Sequence, residues 1–199
     1  GGKEKAFKTM MAGEILDTVK LSAFAKKFYS EPFTLNEIPE EYISRNNGVM
    51  LISSGKIRQS NEGCACTMNS ILKQFIKHLT VGENEVVLLD MEAGVEHFGR
   101  GVDNSVDLIL MIVDPSFESL KLTKKIQQLG DSIGKTVFFV LNKVNELVLP
   151  TMLESIDDQS KVLAVISTDT EIARKGLVGD QLMMEIPEIH MLARKILKQ

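Results

Sequence analysis

The chain is poor in cysteine, has no long apolar run and carries no basic excess, and each shortage removes a class of protein. Two cysteines in 199 residues exclude a disulfide scaffold. They stand one residue apart, at Cys64 and Cys66, where ring strain disfavours a bond between them. Lysine and arginine total 23 against 27 acidic residues, a net charge of −4. That balance argues against non-specific nucleic-acid binding, which requires a clustered positive face. No apolar run approaches the roughly 20 residues that cross a bilayer, and the first residues carry no signal-peptide pattern. The expectation is a cytoplasmic protein without membrane or nucleic-acid partners. No histidine has the arrangement that would activate a serine or cysteine nucleophile; His97, beside Glu96 and Arg100, could take part in chemistry, but a solvent-exposed loop histidine is the commoner case.

A complete phosphate-binding loop is also missing. Gly130-Asp131-Ser132-Ile133-Gly134-Lys135-Thr136 has three residues between its glycines where the loop requires four. It also follows a helical pattern and precedes a strand pattern. A phosphate loop needs the reverse order, so that the next helix points its free amides at the anion. Gly134-Lys135-Thr136 is therefore expected to be a helix-to-strand turn.

What is present centres on residues Val86 to Gly101. Val86 to Leu89 is an unbroken apolar run that leads into Asp90, followed by glycines at Gly94, Gly99 and Gly101. Such a run reads as a strand buried on both faces of a parallel sheet. A carboxylate at its end lies where α/β sheets bind ligands. Asp90 is placed like a Walker B aspartate that holds magnesium through water; the pattern alone is equally met by an ordinary turn.

Around this stretch, residues Lys3 to Phe28 read as helical, with a loop at Pro32, Asn36 and Pro39. Val49 to Ser53 reads as a strand. Ile71, Leu72, Phe75, Ile76 and Leu79 recur at helical spacing from Met68 to near Gly82. Strands are expected at Leu108 to Val113, Val137 to Leu141 and Val162 to Ile166. Between the first two, Ser116 can cap a helix with Phe117, Leu120, Ile126 and Leu129 on one face. Pro187 can open a last helix carrying Ile189, Leu192 and Ile196. The alternation predicts an α/β fold: a mainly parallel sheet of about five strands with helices on both faces.

Cys64 and Cys66 immediately precede the Met68 helix, whose amino end favours the thiolate that binds metal. Two sulfurs cannot complete a tetrahedral site. A symmetric dimer would supply four, suited to zinc or another thiophilic ion. Two small hydrophobic cysteines without a ligand fit the spacing equally well.

Taken together, Gly63-Cys64-Ala65-Cys66-Thr67-Met68-Asn69, Asp90 to Gly101, Asp114-Pro115-Ser116-Phe117-Glu118-Ser119-Leu120 and Leu141-Asn142-Lys143-Val144 resemble the carbon monoxide dehydrogenase maturation ATPases known as CooC, in the MinD/ParA class of deviant Walker A proteins. The likeness runs from about Ile38 to the C-terminus. It implies a P-loop NTPase-like domain in which ATP binding closes a homodimer that assists nickel delivery to the dehydrogenase. By this resemblance Asp90 is the Walker B magnesium partner, and Glu92 to Gly94 form the switch segment facing the γ-phosphate. Asn142 and Lys143 meet the adenine, whose other side is lined by the loop from Thr168 through Asp169 to Glu171. Cys64 and Cys66 hold zinc or nickel across the dimer.

The family's opening strand, Gly-rich loop, loop helix and second strand have no counterpart here. The resemblance therefore implies a single domain, residues 1–199, that is N-terminally incomplete or has lost hydrolysis. Two other functions stay open: a metal-binding homodimer module without ATPase activity, and a MinD/ParA-type ATPase with another client.

Overall fold

A computed structural model describes residues 30–53, 65–91 and 105–198, with residues 41 and 65–71 described by their backbone alone. The helix expected from Lys3 to Phe28 lies outside the described residues. The rest divides into two compact units, with the boundary between Ser105 and Val106.

In the first unit, β1 (Phe33–Thr34) leads through two 3-10 turns into a hairpin of β2 (Ser44–Asn46) and β3 (Val49–Leu51). Asn47 and Gly48 turn the chain with φ of +47° and +82°, the left-handed pair that a two-residue hairpin requires. The run expected as a strand from Val49 to Ser53 is thus shorter, and its partner is antiparallel. Its arms are solvent-exposed. Arg45 donates to both Glu40 carboxylate oxygens, at 2.9 to 3.2 Å, and this hydrogen bonding holds the Glu40 carboxyl below its ordinary pKa.

Helix α1 (Ala65–His78) begins three residues before Met68 and ends four before Gly82. Leu79, expected on its apolar face, instead starts β4 (Leu79–Thr80), which pairs in parallel with β1. The reason is tertiary. Phe33, Ile38 and Phe75 make a small core against which Leu79 packs, with the Phe33 and Phe75 rings edge-to-face at 5.2 Å.

Residues 86–90 depart furthest from expectation. They form no strand, and Leu88 is 82% exposed. An apolar run becomes a buried strand only when neighbours take up its amides and carbonyls. Among the described residues none pairs with it.

The second unit is a parallel sheet in the order β5 (Leu108–Val113), β6 (Thr136–Val144), β7 (Val162–Ser167). This bears out the α/β class, and β5 falls where the sequence put it. β6 is buried on both faces: Val137, Phe138, Phe139, Val140 and Leu141 are each at most 9% exposed. Strand alternation divides these residues between two layers. Phe138 and Val140 pack with Leu163 and with Leu192 of α5 (Pro187–Ile196), the last helix. The opposite face, with Val137, meets α2 (Phe117–Ser132). Short α3 (Leu149–Glu154) and α4 (Thr170–Val178) complete the unit.

Ser116 caps α2 as expected, its Oγ accepting from the Ser119 amide at 3.2 Å. Of the face expected to be apolar, Ile126 is buried and Leu120 and Leu129 are half-buried, but Phe117 is not part of it. Thr123, Ile126 and Gly130 are buried, whereas Phe117 is 75% exposed because it stands at the first turn. The Thr123 hydroxyl is satisfied by the carbonyls of Leu120 and Ser155, at 2.8 and 2.7 Å. α2 ends at Ser132, Gly134 turns with φ of +67° and β6 starts at Thr136, so Gly134-Lys135-Thr136 is the expected helix-to-strand turn.

Gly130 and Gly176 should respond oppositely to alanine. A Cβ on Gly130 would overlap Val137 Cγ2 and stand 3.0 Å from the Lys135 carbonyl, whereas one on Gly176, inside α4, meets nothing within 4 Å. Gly130→Ala is expected to lower the unfolding free energy by about 1–3 kcal/mol. Gly176→Ala should raise it by about 0.5–1 kcal/mol. Urea midpoints at constant m-value check both.

Candidate functional site

The site is built by the register of β5 against β6. Leu108 pairs with Thr136, and the match runs without interruption to Val113 with Leu141. One step further, Asp114 leaves the carboxyl end of β5 beside Asn142. At this point β6 carries one residue more than β7: Leu141 pairs with Val165, but the next match is Val144 with Ser167. The extra residue makes a bulge at Asn142 and Lys143, and Lys143 has a left-handed φ of +56°. A non-glycine residue there costs on the order of 1 kcal/mol, tolerated where the surrounding ladder leaves no alternative.

The bulge turns both side chains onto one carboxylate. Asn142 Nδ2 donates to Asp114 Oδ1 at 2.9 Å, and the Lys143 ammonium donates to Asp114 Oδ2. The lysine–aspartate pair is well exposed, with side-chain accessibilities of 62% and 39%, so it contributes about 0–1 kcal/mol to stability. Its value lies in the geometry it sets. The loop that carries Asp114 is also tied down. The Asp114 amide donates to Ser119 Oγ at 3.1 Å, and the Ser116 amide donates to the Asp114 carbonyl at 2.8 Å.

A cleft opens at the same carboxyl edge of the sheet, beside β7. Its volume is about 240 Å³, and Thr168, Asp169 and Ile172 face Ile186, Pro187 and Glu188 across it. The Thr168 amide donates to the Val144 carbonyl at 2.9 Å, which pins the start of this loop to the end of β6. Parallel sheets bind ligands at this edge, where strand ends and helix starts meet. Asp169 lines the cleft but is already engaged, as its Oδ1 caps α4 by accepting from Glu171 and Ile172 amides at 2.7 and 2.9 Å. Behind it, hydrogen bonding from Arg174 holds the Glu171 carboxyl below its ordinary pKa.

No family model matches the chain. It is similar to an uncharacterised ATP-binding protein of Methanocaldococcus jannaschii, 39% identical over 170 residues, covering 85% of this chain and 68% of the relative. The chain belongs to this family of ATP-binding proteins. The carbon monoxide dehydrogenase accessory protein CooC of Rhodospirillum rubrum is 32% identical over 146 residues, covering 73% of this chain and 56% of that protein. A second uncharacterised ATP-binding protein of M. jannaschii is 29% identical over 164 residues, covering 79% and 64%. The chain thus spans between 56% and 68% of these relatives' lengths.

Against the residues that the CooC resemblance singled out, the second unit brings together Asn142 and Lys143, with Thr168 and Asp169 on the same edge of the sheet. Asp90 lies in the first unit, exposed. Glu92, Gly94 and Cys64 fall outside the described residues, and Cys66 is described only as backbone in the first turn of α1. Among the described residues no three metal-ligating side chains converge, and no helix is long and apolar enough to cross a membrane. Two features were missed from sequence. Asp114, part of a motif carrying the resemblance, has no site role from sequence, although its offset from Asn142 equals the β5–β6 register. Helix α4 is not among the expected elements, and its first two residues fall in the expected Thr168–Glu171 loop, although Asp169 and Gly179 bracket it as cap and left-handed stop.

Asp169→Ala should remove the α4 cap at a cost of about 1 kcal/mol. Amide hydrogen exchange at Glu171 and Ile172 should accelerate, with exchange in β6 unchanged.

Proposed function

We propose that the chain binds ATP at the carboxyl edge of its second-unit sheet and acts as a CooC-like accessory protein in metalloenzyme maturation, its finer role being nickel insertion into carbon monoxide dehydrogenase. The observation that carries this reading is the Asp114–Asn142–Lys143 cluster at the carboxyl edge of a sheet whose β7 loop lines a cleft of about 240 Å³, in a family of ATP-binding proteins. The residues fit an adenine. Nothing among the described residues donates to Asn142 Oδ1, which leaves an acceptor for an exocyclic amine. Thr168 adds an exposed hydroxyl on the loop pinned to β6. By family likeness, within the MinD/ParA class, Asp90 would hold magnesium through water, with Glu92 and Gly94 in the switch segment. ATP would supply the binding energy that separates two conformations of the protein. As these 199 residues contain no complete phosphate loop, the activity proposed for them is binding without hydrolysis.

The metal function rests on Cys64 and Cys66. We propose that two copies of the chain form a cytoplasmic homodimer whose four thiolates hold zinc, or nickel as cargo. The Cys64-Ala65-Cys66 spacing, with Cys66 in the first turn of α1, supports it.

Calorimetry with ATP and magnesium tests the first proposal. Saturable binding is expected, weakened about tenfold by Asn142→Ala; no binding by the wild-type chain would overturn it. For the second, Cys64→Ser/Cys66→Ser should abolish bound metal by elemental analysis and shift sedimentation toward monomer. Retention of both would sink the interfacial site.

A further inference from the structure

We propose that Asp114 is the positioning residue that sets which nucleobase this site accepts, by fixing the amide of Asn142 in one of its two orientations. This rests on the reading of Asn142 as the base-contacting residue. An asparagine amide presents an acceptor on one side and two donors on the other, and a half-turn of χ2 exchanges them at little cost. Left free, it would accommodate either a 6-amino or a 6-oxo purine.

Here it is not free. A carboxylate only accepts hydrogen bonds, so the group facing Asp114 Oδ1 at 2.9 Å must be Nδ2. The reversed amide would set two oxygens against each other at that distance. The backbone of Asp114 is fixed by the β5 register and by its amide bond to Ser119 Oγ, and Lys143 occupies its Oδ2, which leaves Oδ1 facing Asn142. Asn142 Oδ1 is therefore committed to accepting. It matches a base whose edge carries an exocyclic amine and opposes one carrying a carbonyl.

Neither residue makes this selection alone. It comes from the bulge, which gives β6 the extra residue that brings Asn142 and Lys143 to the same carboxylate. A purely structural Asp114 would support the loop, and its loss would weaken every nucleotide in proportion. An orienting Asp114 predicts a change in the ratio between nucleotides.

The test is calorimetric titration of the full chain with magnesium and either ATP or inosine triphosphate, which differ at the purine 6-position in amine against carbonyl. The wild type should prefer ATP by about tenfold, the worth of one hydrogen bond made rather than opposed. Asp114→Asn lets the facing amide donate or accept, and should bring the two affinities within about twofold. The ratio does not depend on the fraction of protein that is folded, so partial misfolding of the variant cannot mimic the result. An Asp114→Asn protein that loses affinity for both nucleotides but keeps their ratio would overturn the inference and leave the proposed function standing. An Asn142→Ala protein that keeps the preference would overturn the reading of Asn142 itself.

Discussion

β6 is hydrogen-bonded along both edges and covered on both faces, and the described second unit depends on that enclosure. Its neighbours β5 and β7 take up its amides and carbonyls, α2 packs on one side and α5 on the other. Five consecutive side chains from Val137 to Leu141 are buried as a result. Each of these large apolar groups contributes about 1.5–3 kcal/mol when removed from water. Its pairing with β5 is uninterrupted, whereas its pairing with β7 shifts register twice, between Phe139 and Val140 and again at the carboxyl end, where the cover stops.

The shift at the carboxyl end is the chemistry-bearing part of the fold. The bulge at Asn142 and Lys143 uses the rigidity of the preceding ladder to hold a left-handed lysine that would relax in a free loop. Asp114, at the end of the adjacent strand, supplies the charge on which the bulged side chains converge. Three polar residues from two strands thus occupy one corner of the sheet, and the β7 loop joins them through the Thr168–Val144 bond. The arrangement suits recognition of a flat polar ligand edge, with orientation supplied by strand geometry rather than by burial.

The first unit is assembled differently. Its core of Phe33, Ile38 and Phe75 is small, its strands are two or three residues long, and its hairpin is exposed. The run ending at Asp90 has the composition of a core strand and lies open to solvent. Composition states what a segment can do when paired. It does not supply the pairing partner, and among the described residues none pairs with this run.

Local chemistry was sufficient wherever a few adjacent residues decide the outcome. The β5 run, the Ser116 cap, Pro187 at the start of α5 and the Gly134 turn were all legible, because each depends on backbone preferences within four or five residues. So was the α/β class, since alternation of strand and helix patterns dictates parallel pairing with crossovers. The likeness to CooC proteins was carried by short motifs and agreed with the relatives found. Only the tertiary structure decided that Leu79 pairs with Phe33 instead of continuing a helix, that Phe117 stays in solvent while Thr123 is buried, and that Asp114 meets Asn142. These outcomes depend on partners up to 46 residues away along the chain, as Leu79 is from Phe33. Periodicity records which face a residue is suited to, but register and bulges arise only when two strands are laid side by side.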